Sequence, residues 1–282
     1  MPLTLTWRDA TTLPVAGEML SPDRLSAIGP LEAALIPSRV GRMPIPLGDL
    51  FRIDGDGRDG QIILEGDLSR VVGIGRGMTS GSLIVRGDAG ALLGAGMLGG
   101  SISVEGSVGD WAAAEMRGGV LRVLANAGEG LAAALPGSRL GMRDGTVLVH
   151  GTTGADAGLR MRRGLIALGA GVGADLGRAM VAGSIFAFGP VGPRPGAGMK
   201  RGTIALFGTG SAGVRVLPTF AFSGRFQPPF LAIYRKLLDG LRFPVALDAF
   251  ATTFARYNGD LTEGGQGEIL VADELSPAMI QV

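Results

Sequence analysis

Seven methionines, Met78, Met97, Met116, Met142, Met161, Met180 and Met199, recur along this chain at a spacing of 19 residues, broken once by a step of 26. Three residues after each stands a glycine: Gly81, Gly100, Gly119, Gly145, Gly164, Gly183 and Gly202, with Gly60 opening the same series. A fixed period of that length marks one structural unit stacked on itself.

Counted from its glycine, every repeat carries an aliphatic residue two positions on: Ile62, Leu83, Ile102, Leu121, Val147, Ile166, Ile185 and Ile204. A second column follows four positions on, with Leu64, Val85, Val104, Val123, Val149, Leu168, Ala187 and Leu206. A spacing of two places both columns on one face of a short strand. Further glycines stand six positions on (Gly66, Gly87, Gly106, Gly151, Gly189 and Gly208) and nine positions on (Gly90, Gly109, Gly128, Gly154, Gly173 and Gly192). Too few residues separate one strand from the next for a crossover helix, which excludes a doubly wound α/β sheet. The expected fold is all-β: a right-handed parallel β-helix of about 19-residue coils, equivalent residues lying about 4.8 Å apart. Glycine recurs because coil corners need positive φ, and the methionines form a ladder at one corner. Two extra residues fall between Gly60 and Gly81. Seven fall between Gly119 and Gly145, and a loop is expected to bulge from that coil around Glu129-Gly130-Leu131-Ala132-Ala133-Ala134-Leu135-Pro136.

The repeats divide the chain into an N-terminal cap region, 1–59, a solenoid, 60–216, and a tail, 217–282. In the cap, Ser21-Pro22-Asp23 is expected to start a short helix through Leu25, with proline at its first position, and Phe51 and Ile53 alternate as in a strand. In the tail, Phe230, Ile233, Tyr234, Leu237, Leu238 and Leu241 recur at helical spacing between Pro229 and Leu241. Outward strand positions are polar early (Glu65, Arg86, Glu105) and apolar late (Phe186, Phe188, Phe207). The tail helix or a partner is expected to cover that late patch.

Fifty glycines and only 5% aromatic residues suit a narrow solenoid filled with small and aliphatic side chains. A net charge of +1 gives no case for nucleic acid. Zero cysteines and one histidine leave no disulfide framework and no Cys/His metal site. The opening Met-Pro-Leu-Thr-Leu-Thr-Trp lacks a basic stretch followed by an apolar run, and no run of about 18 apolar residues occurs, so a cytoplasmic protein is expected.

Little in the chain resembles catalytic machinery. The thioethers are core filling rather than a soft-metal track, since no cysteine or histidine accompanies them. His150 reads as a surface histidine, with no nucleophile or carboxylate cluster beside it. Gly171-Val172-Gly173 resembles a phosphate loop but recurs in every coil and precedes no helix. One constellation stands out: the positions just after the methionine are basic at Arg117, Arg143, Arg162 with Arg163, and Lys200 with Arg201. Stacked, they form an axial stripe interrupted at Val181-Ala182. The alternatives are a solvated edge and a contact for an acidic partner or a polyanionic tail.

The coil pattern, as in Gly100-Ser-Ile-Ser-Val-Glu-Gly106-Ser-Val-Gly109, resembles the GXGXG β-helix superfamily. That superfamily includes the C-terminal domain of the glutamate synthase large subunit and the C-subunit of formylmethanofuran dehydrogenase. The tail, Ala255-Arg256-Tyr257-Asn258-Gly259-Asp260 and then Glu263-Gly264-Gly265-Gln266-Gly267-Glu268-Ile269-Leu270, is similar to the ending of these C-subunits. The family has an archaeal branch, the tungsten or molybdenum enzyme, and a bacterial branch, the formyltransferase/hydrolase complex. The arginine-over-lysine composition favours the second. The resemblance implies a non-catalytic scaffold beside amidohydrolase-like, dehydrogenase-like and formyltransferase subunits. It also implies a complex using a methanofuran-type carrier and tetrahydromethanopterin, with metal ions in a sibling subunit and no cofactor on this chain. The carrier's glutamate-rich tail gives the basic stripe a candidate ligand. The weaker alternatives are a glutamate synthase-like domain and a carbohydrate-active β-helix, and the latter lacks an aromatic platform here.

Overall fold

The computed structural model describes residues 1–9, 11–26, 28–208, 216–245 and 247–273. The expected end of the solenoid, over 209–215, and the last nine residues of the tail lie outside the described residues. In chain order come strands β1 (Leu3–Trp7) and β2 (Val15–Ala16), then helices α1 (Pro22–Leu25) and α2 (Pro30–Leu35). Strands β3 (Pro37–Val40) and β4 (Met43–Pro46), helix α3 (Leu47–Leu50) and strand β5 (Phe51–Asp54) follow. The repeats supply β6 (Gln61–Glu65), the short β7 (Val71–Val72), β8 (Ser82–Arg86), β9 (Ser101–Val104), β10 (Arg117–Val123) and β11 (Asp144–Val149). They continue with β12 (Leu165–Leu168), β13 (Ser184–Ala187) and β14 (Arg201–Leu206). The tail adds β15 (Ala221–Phe226), α4 (Leu231–Gly240), β16 (Phe254–Gly259) and β17 (Gln266–Ala272).

The protein is all-β in character, built on one large, mostly parallel sheet of 13 strands in the order β15-β16-β17-β14-β13-β12-β11-β10-β9-β8-β6-β1-β5. Its register joins the first aliphatic column without a slip: Ile62 pairs with Leu83, then Ile102, Leu121, Val147, Ile166, Ile185 and Ile204. The second column stacks the same way, and both are buried. A parallel line of bridges runs through Leu68, Ala89, Val108, Ala127, Thr153, Val172 and Val191 on a different side of each repeat. Equivalent residues of successive repeats therefore lie one above another, and the two columns and the methionine ladder fill the interior between them.

The pairing of methionine with glycine has a steric cause. All seven methionines are fully buried. Each lays its Cε beneath the glycine that opens the next strand, so a Cβ at Gly119 would meet Met97 Cε at 2.6 Å and one at Gly164 would meet Met142 Cε at 2.7 Å. Gly119 also has φ of +86°, which glycine adopts without the Cβ penalty. Size demands glycine above each thioether, and positive φ demands it as well at every such position except Gly267 above Met199.

Both ends of the sheet extend past the repeats. Strand β1 lies parallel on β6, with Leu3 over Ile62 and Leu5 over Leu64, and β17 lies parallel on β14, with Ile269 and Val271 continuing the two columns. Antiparallel strands then close each end, β5 against β1 and β16–β15 against β17. An aspartate also stands in for a missing repeat at each end. The Thr79 N–H, which has no methionine carbonyl below it, donates to Asp23 Oδ2 at 2.9 Å. The Gly198 N–H, which has no repeat above it, donates to Asp260 Oδ2 at 3.1 Å. Helix α1 forms as expected with proline first, but the Ser21 side chain makes no capping bond.

The seven-residue insertion lies later than expected. Leu131, Ala132, Ala133 and Ala134 are buried, and Ala132 takes the corner that Gly94 and Gly158 occupy in other repeats, with φ of +54°. The extra residues leave at Leu135 and return by Gly141. The alanine run stays inside because a small side chain fits that corner and a loop residue would leave a gap.

Outside the sheet, the late repeats carry a second apolar cluster. Leu148, Ala167, Phe186, Ala205 and Phe207 pack under Leu231 and Leu238 of α4 and under Phe243, Phe250 and Phe254. Phe186 meets Tyr234 edge-on at 4.8 Å between ring centroids, and Phe188 stacks on Phe207 at 4.5 Å. The helix expected over Pro229–Leu241 spans Leu231–Gly240, and Ile233 and Leu237 do not join its buried face: they are 70% and 43% exposed. The apolar residues of this helix exceed one stripe, and the sheet takes the arc of Leu231, Tyr234 and Leu238.

Candidate functional site

At the methionine corner, the residue after each methionine donates its backbone N–H to the methionine carbonyl one repeat earlier. Arg117 bonds to Met97, Arg143 to Met116, Arg162 to Met142, Val181 to Met161 and Lys200 to Met180, each at 2.7 Å. This ladder sets Arg117, Arg143 and Arg162 in three consecutive rows, with Val181 interrupting before Lys200. Arg163 and Arg201 occupy the adjoining column, on either side of Ala182.

The six basic residues fall into two groups. Lys200 pairs with Glu263 at 3.4 Å, and Arg201 Nε donates to Gln266 Oε1 at 2.7 Å, so the tail engages both. Among the described residues no carboxylate lies within ion-pair distance of Arg117, Arg143, Arg162 or Arg163. Asp144, whose backbone pairs with Arg117 in the sheet, turns its carboxylate to the N–H of Gly145 at 2.7 Å. Arg143, Arg162, Arg163 and Val181 line an open groove of about 340 Å³. Arg143 Nε is buried there without a hydrogen-bond partner. Like charges one repeat apart repel by about 1 kcal/mol in water, so the column holds a positive potential that an anion relieves. What the arrangement can do chemically is bind a row of carboxylates.

His150 departs from the surface reading. The tail covers it: Phe243 meets its ring edge-on at 5.2 Å, and its Nε2 is buried without a partner. Burial, and secondarily the Arg122 guanidinium, push its pKa below the ordinary imidazole range. Arg122 donates to the Leu241 carbonyl at the C-terminal end of α4, where the helix dipole favours a cation. Sequence reasoning passes over Arg122, although it is the one charged residue in its outward column of Ile63, Ile84, Ser103, Arg122, Leu148, Ala167, Phe186 and Ala205. It passes over Asp23 and Asp260 as well, because their role depends on which repeat has no neighbour. Among the described residues no group of three or more His, Cys, Asp or Glu is arranged to hold a metal ion. No described helix is long and apolar enough to cross a membrane.

No family model matches the chain. Over 82 residues it is 35% identical to the C-subunit of the molybdenum-containing formylmethanofuran dehydrogenase 1 of Methanothermobacter marburgensis, covering 29% of this chain and 20% of that protein. Over 54 residues it is 44% identical to the same subunit from Methanothermobacter wolfeii, covering 19% and 14%. The matched segments thus span a fifth or less of these curated relatives. A chain of the formyltransferase/hydrolase complex (FhcABCD) from Methylorubrum extorquens, solved in complex with methylofuran, superposes with a TM-score of 0.86 at 32% identity. That match covers 96% of this chain and 99% of the other. An identity of that level sustained over both full lengths, with the archaeal matches naming the subunit, means that the chain belongs to the formylmethanofuran dehydrogenase C-subunit family, in the form found in formyltransferase/hydrolase complexes.

Proposed function

We propose that this chain is the scaffold subunit of a formyltransferase/hydrolase complex acting in tetrahydromethanopterin-dependent one-carbon metabolism, where formaldehyde is oxidised to formate. The end-to-end match to a chain of FhcABCD is the observation that carries this reading. On it, chemistry belongs to the siblings: an amidohydrolase-like subunit holding metal ions, a dehydrogenase-like subunit and a formyltransferase. The repeats of 60–216 then wind as a right-handed parallel β-helix, supported by two parallel columns of pairing on different sides of each repeat. The N-terminal region, 1–59, then serves as cap to the first coil, and the described residues of the tail, 217–282, pack along the late coils.

A furan-type carrier with a carboxylate-rich tail is the anion proposed for the basic column. The residues fit it: Arg117, Arg143, Arg162 and Arg163 have no carboxylate of their own among the described residues, and the buried Nε of Arg143 lacks an acceptor. Lys200 and Arg201, already engaged by Glu263 and Gln266, contribute at the end of the column. Two experiments test the proposal. The purified chain alone should show no formyl hydrolase or transferase activity and should co-purify with its siblings when expressed with them. Replacing Arg117, Arg143 and Arg162 together by alanine should lower turnover of the complex with the long-tailed carrier about tenfold, while a tail-less furan substrate is turned over as before. Equal turnover of the long-tailed carrier removes the carrier from this column.

A further inference from the structure

The N-terminal region carries an open groove that the basic column does not touch. Ala16 of β2, Met19, Pro37 of β3 and Pro44 of β4 form its apolar floor, Glu18 and Arg39 stand at its rim, and its volume is about 290 Å³. The antiparallel register of β3 and β4 explains the floor. Pro37 lies opposite Pro46 and Arg39 opposite Pro44, so three proline rings and one guanidinium share a face of the hairpin. All three prolines are exposed, and Met19 is half-buried. Ser38 is buried and donates its hydroxyl to the Ala16 carbonyl at 2.8 Å, which ties β3 to β2. Strand β4 is the edge of the four-stranded sheet β4-β3-β2-β7, and a bare edge invites another strand. Pro44 and Pro46 have no N–H, so this edge offers an incoming strand no donor at either position. A partner here is held by its side chains. The rim carries more positive than negative charge. Glu18 is one carboxylate shared by two guanidiniums, Arg76 at 3.3 Å and Arg39 at 4.0 Å. Arg42, in the turn between β3 and β4, is exposed and has no ion-pair partner among the described residues.

We infer that this groove docks a segment of a sibling subunit, one that lays an aromatic side chain on the floor and brings a neighbouring carboxylate to Arg39. The ring follows from the floor: proline rings offer flat apolar faces, and the Met19 thioether makes favourable contacts with an aromatic edge. The carboxylate follows from the rim. With Glu18 divided between two guanidiniums, one further anion is drawn to Arg39, whereas a basic segment is repelled by Arg39, Arg42 and Arg76. Aromatic anchors seated in pockets and bordered by charge are how protein interfaces concentrate their affinity. The inference rests on the reading of this chain as a subunit of a larger complex and names one surface by which it is held.

The test uses the full chain co-expressed with its siblings of the formyltransferase/hydrolase complex. Ala16→Trp fills the groove from within, and Arg39→Glu reverses its rim. Each should weaken assembly about tenfold or more, measured by titration in analytical ultracentrifugation. Arg39→Glu should keep the thermal unfolding midpoint of the isolated chain, because Arg39 is exposed. A footprint reads the groove without any substitution: hydrogen peroxide should convert Met19 to its sulfoxide several-fold more slowly in the assembled complex than in the isolated chain. Unchanged affinity in both variants, with Met19 oxidised equally fast free and assembled, overturns the inference and leaves the scaffold reading standing. Failure of the wild-type chain to associate at all overturns both. Self-association of the isolated chain that Arg39→Glu abolishes, while assembly with the siblings persists, assigns the groove to a second copy of this chain and overturns the sibling segment.

Discussion

The early and late halves of the stacked repeats share one interior and differ on the outside. Between β6 and β9 the outward positions include the polar Glu65, Arg86, Ser103 and Glu105, with Arg86 paired to Glu65 at 2.8 Å. Between β11 and β14 they are Leu148, Phe186, Phe188 and Phe207, sealed beneath α4 and the strands of the tail. The early half is held chiefly through its interior, whereas the late half is held from both faces. Stacking rests on the interior, and the outward residues decide what the sheet carries on its other face.

Phe186→Ala offers the most severe test of that contrast. It removes a fully buried ring from the centre of the outer cluster and should cost about 3–5 kcal/mol, measured by denaturant unfolding. A cost below about 1 kcal/mol would mean that the tail adds no support to the late half. The two end aspartates come next. Asp260→Ala strips Gly198 and Thr262 of a buried acceptor and should destabilise by about 1–3 kcal/mol, whereas the more exposed Asp23→Ala should cost roughly 0.5–1 kcal/mol. For both carboxyls burial disfavours ionisation. The bonds from Thr79 and Ser80 to Asp23, and from Thr262 and Gly198 to Asp260, together outweigh it and hold each pKa below the ordinary value. Their stabilisation is thus complete above the unfolded carboxylate pKa and drains away as pH falls through the lower folded value. Each alanine variant should lose less on acidification than wild type.

His150 gives a smaller effect confined to the late half. Its folded pKa is depressed, so the stability it lends is present above the unfolded imidazole value of 6.5 and is lost as pH falls below that toward the folded value. The opening free energy of α4, taken from hydrogen exchange after correction for the intrinsic pH dependence of amide exchange, should fall as pH drops below about 6.5, and His150→Phe should flatten that slope. Last, Glu105→Ala in the early half should stay within about 0.5 kcal/mol of wild type, since it touches only solvent and a distant guanidinium. A larger loss would bring the two halves closer together than their surfaces imply.

The repeat makes the inward columns legible because every member lies within one period of the next. Strand β17 is visible in part: Gly267, Ile269 and Val271 repeat the glycine-plus-two-plus-four pattern. However, 65 residues separate Gly267 from its neighbour Gly202, so counting by nineteen ends too soon. Strand β1 carries Leu3 and Leu5 without a glycine, and no spacing rule reaches it. The basic column can be placed because methionine fixes the corner. Its division into tail-engaged and free members cannot, since Glu263 and Gln266 arrive from distant sequence. His150 escapes for the same reason: what lies above an outward position is set by how the tail returns, and periodicity is silent on that.

The stretch from Leu135 to Gly141 leaves the stack and rejoins it with both aliphatic columns in register, Leu121 beneath Val147 and Val123 beneath Val149 as though nothing intervened. That corner works as a port. Polypeptide of another length, a fluorophore-binding tag or a small folded module can be spliced there while the rows above and below keep their pitch.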